Sequence, residues 1–125
     1  MRTTYSTTLS LLLLLTATSF TPLQAEDWPQ FRGPNCAGIS ISTQPLATNF
    51  SPTDNVAWVA KLGDGIGCPV VADGRVFVSS MLDENTVALT GFDAKTGKQL
   101  WQRSWPTGAL VEIHKTNSQA ATTPC

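Results

Sequence analysis

The side chains that could do chemistry in this chain are few and widely spaced. Cys36, Cys68 and Cys125 are its three thiols and His114 is its single histidine. A structural zinc site needs paired thiols at short spacing with further Cys or His ligands. No pair here has C-x-x-C spacing, so zinc has no support. An odd thiol count leaves at least one cysteine free or bonded to another molecule. Small buried thiols are the simplest reading. Serine, histidine and aspartate all occur, but no spacing links them as nucleophile, base and orienting acid. Gly63-Asp64-Gly65-Ile66-Gly67 is glycine-rich, yet it has no strand-to-helix context for cradling phosphate and reads as a connector. The best local candidate for a binding surface is the segment from Glu112 to Gln119 (EIHKTNSQ). His114 can titrate near neutral pH, and Lys115 and Asn117 can hold an anion or a carbonyl group. A solvated loop without a ligand accounts for the same residues more plainly.

The elements that must position these groups are short strands. Val56 to Leu62 (VAWVAKL) is the first apolar β run. Pro69 to Ala72 leads into Asp73-Gly74, and Arg75 to Met81 (RVFVSSM) follows. Asp-Gly between apolar runs predicts a type I′ hairpin turn, which needs positive φ at both central positions. Thr86 to Phe92 (TVALTGF) is the next strand, Asp93 to Lys98 (DAKTGK) a turn, and Lys98 to Ser104 (KQLWQRS) the strand after it. Gly97 is free to take positive φ, and Asp93 can accept hydrogen bonds from the backbone N–H groups that follow it. Val76 and Val78 fall on one side of the sheet and Phe77 on the other. Val87 and Leu89 oppose Ala88 and Phe92 in the same way. A sheet apolar on both faces is built to be sandwiched between neighbours. Trp58 and Trp101 lie in similar strands 43 positions apart, and a Cys-Pro or Pro-Cys pair follows each. A four-stranded repeat of that order is a propeller-blade spacing.

Residues 1–25 read as a secretory signal. Arg2 supplies a positive start, Leu9 to Leu15 an apolar run, and Leu23-Gln24-Ala25 a small residue before Glu26. The run is too short to span a bilayer, which takes about 20 apolar residues. Export places the mature chain in the periplasm or outside the cell, where disulfides can form. Residues 26–54 are rich in Pro, Gly, Asn, Ser and Thr and read as an irregular arm. Trp28, Phe31 and Phe50 suggest that this arm packs onto something, since disordered linkers rarely carry aromatics. Removing Arg2 leaves a net charge near −2. With no basic run or stripe, nucleic acid is not an expected partner, and nothing after residue 25 is apolar enough to enter a membrane.

Gly91 to Trp101 (GFDAKTGKQLW) resembles the repeat signature A-x-D-x-x-T-G-x-x-x-W of pyrroloquinoline-quinone-type β-propellers. Asp93, Thr96, Gly97, Lys98 and Trp101 match it, while Gly91 stands where alanine is usual. Asp27 to Asn35 (DWPQFRGPN) is similar to the opening of large exported bacterial propeller proteins of this superfamily. The resemblance implies an all-β fold, an incomplete propeller within residues 55–125. Its expected parts are a closing strand at 55–62, one four-stranded blade at 67–104, and the start of the next blade at 120–125. It also implies that Trp101 docks between blades and that Asp93 and Gly97 shape the turn before the outer strand. Cys125 sits where another strand is expected to begin, so the remaining blades are expected to lie beyond it.

Three functions fit that architecture. The first is a non-catalytic propeller that binds or scaffolds envelope proteins, similar to the propeller subunit of the outer-membrane-protein assembly machinery. The second is the N-terminal part of a quinone-dependent dehydrogenase. The third is a structural fragment without independent function. The resemblance implies that a dehydrogenase of this type would hold pyrroloquinoline quinone beneath a disulfide of adjacent cysteines and bind calcium through converging oxygens. The chain has no Cys-Cys pair, and Glu112 and Asn117 lack that metal context. No cofactor is therefore expected within this chain unless other blades supply the site, and the balance leans against an enzyme. Fold alone does not decide the matter.

Overall fold

The computed structural model describes residues 26–125, so the signal-peptide reading of residues 1–25 lies outside the described residues. The fold is all-β. Its regular part is one four-stranded antiparallel sheet in the order β1-β2-β3-β4, with β1 at Val70–Ala72, β2 at Arg75–Asp83, β3 at Thr86–Asp93 and β4 at Gln99–Pro106. This is the up-and-down order of a single propeller blade.

Turn chemistry sets the register. Ala72 pairs with Arg75 across a two-residue loop. Asp73 and Gly74 in that loop have φ of 49° and 69°, the double positive φ that a type I′ turn requires. The β3–β4 turn lies at the same end of the sheet, and the Ala94 N–H donates to the Gly74 carbonyl at 2.9 Å, tying the two turns together. Val76 pairs with Phe92 and Val78 with Thr90. One face therefore carries Val76, Val78, Ser80, Ala88, Thr90 and Phe92. The opposite face carries Val70, Phe77, Met81, Val87, Leu89, Trp101 and Trp105. Both faces are apolar, as the strand patterns require.

The core lies along β3, where Ala88, Thr90 and Phe92 are buried, with Val70 and Met81 joining from β1 and β2. All eight residues of β4 are exposed, because among the described residues no further strand pairs with that edge of the sheet.

Several segments depart from their sequence reading. Val56 to Leu62 forms no strand. A strand needs a ladder partner, and the near edges are already used: Val71 of β1 pairs with Trp28, and Met81 of β2 pairs with Asp64. Residues 120–125 form no strand either. They run beside the connector before β1 instead. The Cys68 N–H donates to the Thr123 hydroxyl at 3.3 Å across 55 positions, and Pro69 and Pro124 are separated by the same interval. The Ser79 hydroxyl donates to the Thr122 carbonyl at 2.8 Å. The arm is attached in part. Trp28 and Val71 exchange backbone hydrogen bonds of 2.7 and 2.9 Å, and the Asp73 N–H donates to the Asp27 carboxylate at 3.1 Å. Phe31 and Phe50, however, remain largely exposed. The thiols are not buried: Cys36 and Cys125 are exposed, Cys68 is half-buried, and all three are free. None of them sits on a strand, so none reaches the sheet core.

Candidate functional site

The two ends of the sheet do different work. At one end the signature residues build a turn. Asp93 Oδ1 accepts hydrogen bonds from the Lys95 N–H at 3.1 Å, the Thr96 N–H at 2.7 Å and the Thr96 hydroxyl at 2.7 Å. These bonds hold its carboxyl below the usual aspartate range, the Thr96 hydroxyl contributing most. The Gly97 N–H returns to the Asp93 carbonyl at 2.9 Å, and Gly97 takes φ of 70°. The Lys98 carbonyl accepts from the Asp93 N–H at 2.9 Å and so closes the turn. Lys98 itself is exposed.

Trp58 completes this end from outside the sheet. Its indole N–H donates to the Ala94 carbonyl at 2.8 Å, and its ring stacks on Phe92 with centroids 6.1 Å apart. A Cβ at Gly97 would lie 2.5 Å from that ring, so the turn glycine is also the seat of the indole. Trp101 is seated the same way on the opposite face. Phe77, Gly91 and Trp101 lie in one row across β2, β3 and β4. The Trp101 ring crosses the bare Gly91, where a Cβ would come within 2.6 Å of it, and meets Phe77 at a centroid distance of 5.9 Å. Trp101 nevertheless keeps 36% of its surface exposed.

The other end of the sheet holds a cavity of about 440 Å³. Met81, Leu82, Leu110 and Ile113 form apolar walls, and Asp64, Asp83 and Glu84 bring three carboxylates to it. The connector that lines it lies very close to β2. The Met81 N–H donates to the Asp64 carbonyl at 2.7 Å, and a Cβ at Gly63 would collide with the Met81 carbonyl oxygen. The Gly63–Gly67 stretch is thus a glycine edge packed along β2. The alternation of its glycines was the sequence signal for this; the wall residues gave none, because three distant segments bring them together.

His114, Lys115 and Asn117 lie together in one turn beside this cavity and do not line it. The polar groups of His114 and Asn117 serve the turn. His114 Nδ1 pairs with the Thr116 hydroxyl at 2.8 Å, the Asn117 N–H donates to the His114 carbonyl at 2.8 Å, and Asn117 Oδ1 accepts from the Ser118 N–H at 2.9 Å.

No adjacent cysteines occur, and among the described residues no group of three or more His, Cys, Asp or Glu side chains could hold a metal ion. No helix among the described residues is long and apolar enough to cross a membrane.

The family model described as outer membrane protein assembly factor BamB matches residues 39–123, more than half of the chain. No curated protein and no solved structure matches. The matched region takes in the glycine edge, all four strands, the signature turn and the segment that repeats the lead into β1. The chain belongs to the pyrroloquinoline-quinone-like propeller-repeat family described by that model.

Proposed function

We propose that this chain is part of an exported, non-catalytic propeller that binds or scaffolds other molecules in the cell envelope. The observation that carries this reading is the chemistry of the cavity. Its walls are apolar, and its polar groups are carboxylates, a glutamine and backbone. Such a surface can hold a ligand, but it offers no nucleophile with an adjacent base. The signature residues support the same reading, since Asp93, Thr96 and Gly97 are engaged in the turn itself. The family description names an assembly factor of the outer membrane, which agrees with a binding role outside the cytoplasm.

The test uses exported full-length protein incubated with pyrroloquinoline quinone and calcium and then desalted. The expected absorbance is that of protein alone, and the expected intact mass begins at Glu26. Stoichiometric retention of the chromophore, or dye-linked alcohol oxidation, would contradict the non-catalytic role. A mass that retains Met1 to Ala25 would contradict export.

A further inference from the structure

The cavity at the β2–β3 end is a built feature, held by three chain segments that are tied to one another. The Met81 N–H fixes the glycine edge through the Asp64 carbonyl at 2.7 Å. The Thr107 N–H donates to the Asn85 carbonyl at 2.9 Å and binds the start of the insert after β4 to the β2–β3 turn. Gln119 Nε2 donates to the Val111 carbonyl at 2.7 Å and closes the insert on itself. A pocket held open by such bonds spends less free energy on ordering when a ligand arrives. Its volume of about 440 Å³ suits one or two side chains.

The lining is one-signed. Asp64, Asp83 and Glu84 supply carboxylates, and no Lys, Arg or His side chain lines the cavity. Asp83 Oδ1 accepts from the Asn85 N–H at 2.8 Å, which fixes that carboxylate and leaves its second oxygen available. Lys115 and His114 belong to the same insert but stay outside the lining. Leu82 and Leu110 in the lining remain partly exposed, beside Met81 and Ile113. The complementary ligand has an apolar side chain for the walls and a cation for the acidic residues. A guanidinium or ammonium gains charge-assisted hydrogen bonds with such acidic side chains, and its charge complements the one-signed lining.

We propose that this cavity docks an extended peptide segment of a partner protein in which an apolar residue adjoins an arginine or lysine. This deepens the reading of the chain as a binding propeller and rests on it. A lining that combines apolar walls with acidic residues favours a chain segment, which presents an apolar side chain and a cation together, over a small free amine.

The test measures fluorescence anisotropy of a fluorescein-labelled peptide of alternating leucine and arginine against the exported full-length protein. The expected result is saturable binding that weakens as salt rises. Removing the charge with Asp64→Asn and Glu84→Gln together is expected to weaken binding at least about tenfold, and Leu110→Ser with Ile113→Ser by a similar factor. Asp54→Asn with Asp73→Asn, which removes two acids at other sites, should leave affinity within about twofold. Circular dichroism confirms that each variant keeps its sheet. Equal binding of a leucine–glutamate peptide, or an affinity indifferent to the cavity variants, would overturn the inference. So would displacement by free butylguanidine at the peptide's own affinity, which would assign the site to a small cation. If neither peptide binds while the quinone is still excluded, this inference fails and the non-catalytic role stands. Retention of the quinone would remove that role itself.

Discussion

Three tryptophans of this chain use glycine as a seat. Trp28 lies on Gly33, Trp58 on Gly97 and Trp101 on Gly91, and at each a Cβ would come within 2.6 Å of the ring. Gly97 combines two constraints, because its φ of 70° also disfavours any side chain. Gly97→Ala is therefore expected to destabilise the full-length protein by about 2 kcal/mol or more in urea unfolding, from left-handed backbone strain plus the displaced indole. In the Trp58→Ala background only the backbone part should remain, at about 1–2 kcal/mol. Equal costs in the two backgrounds would mean that the indole does not press on Gly97. The turn was legible in the sequence because its contacts span few residues: Asp93, Thr96 and Gly97 act on one another. The seat of Trp58 was not legible. The indole N–H bonds Ala94 across 36 positions, and the surrounding Val-Ala-Trp-Val pattern suggests a strand instead.

The strands of the blade were legible because alternation and turn residues are local signals. Strands β1 to β4 fall within a few residues of the apolar runs that predict them. The same alternation at Val56 to Leu62 gives no strand, because pattern supplies a face and cannot supply a ladder partner. Polar satisfaction inside the sheet is a tertiary matter and stays invisible in sequence. Thr90 is fully buried and its hydroxyl accepts from Gln102 Nε2 at 3.0 Å. Ser80, on the same face, is 1% exposed, and its hydroxyl has no partner among the described residues. A buried hydroxyl without a hydrogen bond costs about 1–3 kcal/mol. Ser80→Ala should thus be neutral or stabilising, by up to about 1 kcal/mol, in urea unfolding of the full-length protein. Thr90→Val should cost about 1 kcal/mol by removing the hydrogen bond that the Gln102 amide donates to the Thr90 hydroxyl. A loss above about 1 kcal/mol for Ser80→Ala would show that its hydroxyl makes a hydrogen bond in solution.

At the scale of the whole molecule, the described chain is a blade whose faces are made for neighbours. Among the described residues, the buried apolar side chains are only Val70, Met81, Ala88, Phe92 and Ala120. So small a core hardly offsets the conformational entropy of ordering the chain. Trp101 and Trp105 keep 36% and 49% of their surface exposed on one face, and Leu100 is exposed at the bulge beside them. Residues 120–124 lie beside residues 65–69 at a separation of 55, the arrangement expected when one blade's first strand starts alongside the next. The propeller repeat was legible through its signature, and the cavity was not, since its walls come from the glycine edge, the β2–β3 turn and the insert.

If the faces of this blade are made for neighbours, residues 26–125 alone must find them in one another. Repeat units generally need about three copies for a stable stack, and exposed apolar faces and open strand edges promote association. Sedimentation velocity of residues 26–125 at low micromolar concentration, paired with a proton–nitrogen NMR spectrum of the same sample, reads this out. The expected result is oligomers or aggregates, or a monomer with poorly dispersed amide signals. A sharp monomer boundary with dispersed amide peaks would contradict it, and would show that this blade is closed without a neighbour on either face.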